Sequence, residues 1–129
     1  MKKIILILVI FYSIDNLSQS VEKKEDNNIY SMAGINLKPE YPEGLAKLNL
    51  LIKESYIKEG IQSKDKRKKY ATFVIEKDGS LTDIKILNST DSNETNFFIQ
   101  KLESLPKWIP GKHKGMLVRV HYALPLVVK

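Results

Sequence analysis

Cysteine is absent from the 129 residues, which removes disulfide frameworks, thiolate zinc sites, iron–sulfur clusters and cysteine nucleophiles together. Glycine and proline are sparse, at six and five residues, so collagen-like and low-complexity classes are excluded. There is a single tryptophan, and the basic stretches carry no interleaved aromatics on which bases could stack. No apolar run approaches the roughly 20 residues that cross a hydrocarbon core about 30 Å thick. What remains is an ordinary globular composition, 43% hydrophobic and 28% charged, of a length that suits one domain. A net charge of +6 leaves nucleic acid, acidic glycans and anionic surfaces open as partners until the compartment is considered.

The N-terminus addresses the compartment. Met1-Lys2-Lys3 precedes the apolar run Ile4–Ile14, which Asp15 and Asn16 end sharply, and Ser18-Gln19-Ser20 places small residues where a signal peptidase reads. Residues 1–20 therefore read as a secretory signal with Val21 as the mature N-terminus, the rival being an uncleaved inner-membrane anchor. Export separates the chain from cytoplasmic nucleic acid, so no nucleic-acid partner is expected. Residues 21–36 are polar, short of periodic apolar positions, and read as a flexible lead that closes with an extended piece near Ile29–Met32. The folded domain is expected from Leu37, spanning residues 37–129.

Lys38-Pro39-Glu40-Tyr41-Pro42-Glu43-Gly44 is rich in breakers, with Pro42 suited to the first turn of a helix. Leu45, Leu48, Ile52 and Tyr56 then recur at helical spacing, and Gly60 is the expected stop. Lys64-Asp65-Lys66-Arg67-Lys68-Lys69 reads as a solvated connection. The period then changes to two, with Ala71, Phe73 and Ile75 on one face of a strand. Asp78-Gly79 supplies hairpin turn chemistry, and Ile84, Ile86 and Leu87 mark the returning strand. Asp91 with Glu94 resembles a capping box for a second helix, which carries Phe98, Ile99, Leu102 and Leu105 and ends at Pro106. A short extended piece and a turn follow over Lys107–Gly111. Val118, Val120, Tyr122 and Leu124 then alternate along a final strand. This order predicts an α+β domain: a three-stranded antiparallel sheet in order two-one-three, with both helices packed on one face. The final strand is then an edge, whose unpaired N–H and C=O groups are open to another strand.

Tyr41-Pro42 before a helix, Phe73 through Asp83 around the Asp-Gly turn, and Leu105 through Lys112 followed by Gly115 through Val120 together resemble the TonB C-terminal domain family, in the version with a Trp-x-Pro-Gly-Lys signature. The resemblance covers about residues 39–127. It implies a periplasmic module that binds a peptide segment of an outer-membrane TonB-dependent transporter by strand addition, in association with energy-dependent transmembrane transport. By position, the resemblance puts the partner-binding edge at Val118, Arg119, Val120, His121, Tyr122, Ala123 and Leu124. Tyr41 and Pro42 become the motif beside the first helix, and Trp108, Pro110 and Gly111 the turn that sets the last strand. The spacer and anchor through which TonB couples to an inner-membrane motor are not seen in this sequence, so binding rather than force transmission is the expected role. The second helix also departs from the family, with Asn93 through Phe98 where a Leu-Asp pair and small residues are usual. The same edge could serve to pair with a second copy of the chain, as a homodimer.

No catalytic, cofactor-binding or metal site is expected. His113 and His121 are the only histidines, fewer than the three or four ligands a metal site wants, and both read as surface side chains. Ser80, Ser89 and Ser104 lack nucleophile context, and the pairs Asp78/Asp83 and Glu54/Glu59 have no burial to tune them. Trp108 reads as core rather than as a ligand-stacking residue. An alternative function is a secreted envelope-binding or inhibitor protein that uses the same fold for an anionic partner.

Overall fold

A computed structural model describes residues 25–128 of the chain, so the signal sequence read over residues 1–20 lies outside the described residues. The architecture is α+β, with two helices and a mixed sheet of five strands. In chain order the elements are β1 (Ile29–Ser31), a 3-10 turn (Met32–Gly34), α1 (Leu45–Lys58), β2 (Lys69–Ile75), β3 (Leu81–Leu87), α2 (Ser92–Ser104), β4 (Gly111–His113) and β5 (Met116–Leu126).

α1 buries Leu48, Ile52 and Tyr56, the helical stripe legible in the sequence. Its C-terminus is closed by Gly60 at φ 67°. There the Ile61 N–H donates to the Tyr56 carbonyl and the Gly60 N–H to the Ile57 carbonyl, each at 3.1 Å, the paired pattern that satisfies the last carbonyls of a helix. Pro42 does not open this helix as expected. It sits in a tight turn that the Gly44 N–H closes onto the Tyr41 carbonyl at 2.9 Å, and the helix begins only at Leu45. Proline presets the φ such a turn needs.

β2 and β3 form the expected hairpin. Asp78 accepts from the Ser80 N–H at 3.0 Å, and Gly79 holds φ 86°. A bulge follows, because Thr72 pairs with Lys85 while Val74 pairs with Thr82. The extra residue falls in β3, where Asp83 adopts φ 50°. This kink, with exposed Thr82, Asp83 and Lys85, blunts the outer margin of β3 against unwanted pairing.

α2 begins as expected at Asp91, whose side chain accepts from the Asn93 N–H at 3.0 Å. The other half of the capping box is not formed. Glu94 is fully buried, accepting from the Tyr56 hydroxyl at 2.6 Å and the Ser89 hydroxyl at 3.0 Å, with Lys69 Nζ at 3.7 Å. A carboxylate reaching partners on two neighbouring elements is lost to local capping, and here it ties α2 to α1 and to the start of β2. Within the basic run, Lys69 is thus a buried side chain, and Arg67 pairs with Asp65.

The core lies between the helices and one face of the sheet. Ala71, Phe73 and Ile75 of β2 and Leu124 and Leu126 of β5 meet Leu48 and Ile52 of α1 and Phe98 and Leu102 of α2. Each large apolar side chain fully buried there contributes roughly 1.5–3 kcal/mol. Both helices cover this one face, as expected.

The sheet differs from the three antiparallel strands expected. The order β3-β2-β5 is as read, but β1 pairs in parallel with β5, and β4 pairs antiparallel with its beginning. β4 forms because Lys114 and Gly115 both adopt positive φ, 52° and 77°, the geometry of a two-residue hairpin turn. β1 brings the sheet upstream of Leu37, so residues 29–31 belong to the fold rather than to a flexible lead.

Gly79 joins two motifs that are far apart in sequence. The Trp108 N–H donates to its carbonyl at 2.9 Å, and a Cβ on Gly79 would stand 2.0 Å from the Trp108 carbonyl oxygen. Gly60, by contrast, has nothing within 4 Å of a built Cβ. Gly60→Ala is therefore expected to cost about 1 kcal/mol in urea denaturation, from φ alone. Gly79→Ala should cost about 3 kcal/mol or more, since strain and backbone overlap add. Equal effects would show that the Trp108 contact imposes no constraint.

Candidate functional site

The outer flank of β5 is the feature to which the sequence reading assigned binding. On its inner flank β5 pairs with β2 from Val120 to Leu126. Met116, Leu117 and Val118 pair with His113, Lys112 and Gly111 of β4, and on the flank away from β2 Arg119, Val120 and His121 pair in parallel register with Ile29, Tyr30 and Ser31. Among the described residues, no strand pairs with the outer flank over Tyr122–Leu126. The expectation that Val118 through Leu124 form one open edge is thus corrected. Val120 and His121 lie between β2 and β1, Arg119 pairs with β1 and Val118 with β4, while Tyr122, Ala123 and Leu124 keep an open margin among the described residues. The physical reason is the Lys114-Gly115 turn, which folds β4 back on β5, together with a lead long enough to return beside Arg119.

Pro125 falls within the open stretch. Without an N–H it is tolerated where a strand has an edge, and it shortens the ladder that an incoming strand could form there.

Side chains along this flank divide between the two faces. Val118, Val120 and Leu124 are buried, and Tyr122 is half-buried, its ring stacked on Phe73 at 5.7 Å and edge-on to Trp108 at 5.1 Å. Burial pushes its hydroxyl pKa up. On the opposite face Arg119 donates to Glu76 through Nε at 2.7 Å and Nη2 at 3.1 Å, and through Nη1 to the Asn27 carbonyl at 3.0 Å. These donors hold the Glu76 carboxyl below its ordinary value, with the Thr82 hydroxyl assisting. His121 is exposed, and His113 lies against the Tyr30 ring at 5.5 Å.

The motif residues Tyr41, Pro42, Trp108, Pro110 and Gly111 come together beside this strand. Glu40 and Ile109 exchange backbone hydrogen bonds at 3.0 and 2.8 Å, and Leu37 and Lys112 do so at 3.0 and 2.9 Å. Tyr41 packs edge-on against Trp108, 5.6 Å between ring centroids. Both rings are buried, as read for Trp108. Gly111 is held close to the core, since a Cβ there would come within 2.8 Å of Val120 Cγ2. Tyr41, Trp108 and Gly111 are therefore buried and position the turn into β5, whereas Pro42 is exposed and Pro110 half-buried.

A second concave region, about 580 Å³, lies between the basic loop and the end of β5, where Ser63, Lys66, Lys68, Tyr70, Pro125 and Val128 line it. Sequence reasoning singles out neither Glu76 nor Tyr30, and reads Glu94 as a helix cap rather than as a buried group. Their partners are distant in the chain: Arg119 for Glu76, Tyr56 and Lys69 for Glu94, and His113 for Tyr30.

No helix among the described residues is long and apolar enough to cross a membrane. Comparison with protein-family models, with curated proteins and with solved structures finds no match.

The Glu76–Arg119 pair carries a pH dependence of defined sign. Because the folded carboxyl sits below 4.5, its ionised form stabilises the fold above that value, and the contribution is lost as pH falls through the lowered one. Arg119→Gln should cost about 1 kcal/mol near neutral pH, with the difference from wild type shrinking on acidification below about pH 4. In NMR titration the Glu76 carboxyl of the variant should return toward 4.5. A Glu76 titration unchanged by the substitution would refute the pairing.

Proposed function

We propose that the chain is an envelope binding module, similar to the TonB C-terminal domain, that takes up an extended segment of an outer-membrane transporter by strand addition at the outer flank of β5. The observation that carries this reading is the parallel pairing of Ile29–Ser31 with Arg119–His121. An extended peptide already completes main-chain hydrogen bonds on this flank, and the neighbouring stretch Tyr122–Leu126 has no strand beside it among the described residues. Main-chain pairing supplies affinity that tolerates sequence variation, while the alternate side chains discriminate. The convergence of Tyr41, Trp108 and Gly111 behind the strand supports the same reading, because it holds the flank rigid before any partner arrives.

One observation favours the second reading, an exported protein that binds an anionic partner. The concave region at the end of β5 is bordered by exposed Lys66 and Lys68. The two readings differ in salt dependence, since exposed charges are screened within about 10 Å at 0.1 M salt and main-chain pairing is not.

A photo-crosslinking residue at exposed Ala123 and, as control, at exposed Leu50 of α1 tests the proposal against solubilised outer-membrane proteins. Capture from position 123 alone, mapping to an extended periplasmic segment of a transporter and changing less than about threefold between 0.05 and 0.5 M salt, is the expected result. Equal capture from both positions, or capture lost in salt and on neutralising Lys64, Lys66 and Lys68, would overturn it.

A further inference from the structure

We infer that β1 is an internal occupant of the binding flank, which an incoming strand must displace. The inference rests on the strand-addition reading and adds its regulation and the chemistry of its ligand.

β1 has few of the features of a permanent strand. It is three residues long with no buried residue, and Ile29 is 50% exposed. Its lead is tied down by an ion pair from Lys77 to Glu25 at 3.2 Å, of the exposed kind that contributes little, and by the Arg119 contact to the Asn27 carbonyl. The chain on its other side is anchored independently. Asn36 Oδ1 accepts from the Lys114 N–H at 2.8 Å, and the Leu37–Lys112 and Glu40–Ile109 pairs follow. β1 can therefore swing away about the turn at Met32–Gly34 without disturbing the segment behind it. Elements with few buried contacts open at lower free energy than the whole fold.

Tethering gives β1 a local concentration in the millimolar range, so a free ligand meets a flank that is mostly filled. Its apparent affinity is reduced by the fraction of molecules in which β1 is away. The occupant also describes the ligand. A replacement strand would run parallel to β5 and bring acidic residues to the end where Glu25 pairs with Lys77 and Asp26 accepts from the Tyr30 hydroxyl. It would set a carbonyl against Arg119 in place of that of Asn27, and an apolar or aromatic side chain at the Tyr30 position against His113.

The absence of cysteine makes the test direct. Ser31 and His121 are register partners and both exposed, so S31C/H121C introduces the only two thiols and allows β1 to be locked by oxidation. Tyr30→Pro in the full exported chain removes a strand N–H without touching a core side chain. The probe is a fluorescent peptide with the sequence of residues 25–34, and a second peptide carries Lys in place of both acids. Relative to wild type, Y30P should bind the acidic peptide at least tenfold tighter and prefer it to the lysine peptide. Oxidised S31C/H121C should bind neither, and reductant should restore binding. Equal affinity in the locked and unlocked forms would overturn the inference. Amide exchange in the unliganded chain separates the two ideas. If the amides of residues 29–31 exchange only with the whole sheet, displacement is ruled out. If they open freely yet no variant binds either peptide, strand addition at this flank fails, and the inference fails with it.

Discussion

An inner strand must satisfy polar main-chain groups on both flanks, and among the described residues β5 has only one partner longer than three residues. β5 is eleven residues long and β2 seven. The rest of its pairing comes from two pieces of three residues each, β4 at its beginning and β1 on the flank away from β2. Much of the remaining architecture follows from this mismatch. The Lys114-Gly115 turn supplies the first piece, the returning lead the second, and the stretch ending in Pro125 is left with no strand beside it among the described residues. A hydrogen-bonding surface that is partly filled by a weakly held segment differs from either a sealed sheet or a bare edge.

The position of β5 is set from behind. Trp108 donates to the Gly79 carbonyl across a gap that admits no Cβ, and Gly111 approaches Val120 closely enough to exclude one as well. Around them Tyr41, Phe73 and Tyr122 pack on the indole. Aromatic packing fixes the approach of the Lys107–Gly111 segment, and that segment fixes where β5 starts. At the far end of the sheet the buried Glu94 joins Tyr56, Ser89 and Lys69. Such a polar cluster holds its elements in register, because breaking any one contact leaves a buried group without a partner.

Local patterns were read correctly where the cause was local. The stripe Leu48, Ile52 and Tyr56, the Gly60 stop, the Asp78-Gly79 turn and the Asp91 cap each depend on residues within a few positions of one another. The reading of Glu94 as the second half of a capping box failed for the opposite reason. Its partners Tyr56 and Lys69 come from elsewhere in the chain, and burial beside them outweighs a solvent-exposed cap. Pro42 was placed one turn too far along, since proline suits the second position of a tight turn as well as the first turn of a helix. The β4 hairpin was passed over because Lys-Gly is a weaker turn signal than Asp-Gly. For the candidate site, the face assignments of Val118, Val120, Tyr122 and Leu124 were legible from alternation. Whether their strand had one neighbour or two was not.

The residues alone determined the α+β class, the succession of helices and strands, and the side of β5 that meets the core, because periodicity and turn chemistry act over short range. Only the folded chain decided which main-chain groups of β5 are already paired. That depends on where a lead some ninety residues upstream comes to rest (Ile29 opposite Arg119), and no local pattern encodes the meeting of two segments so far apart.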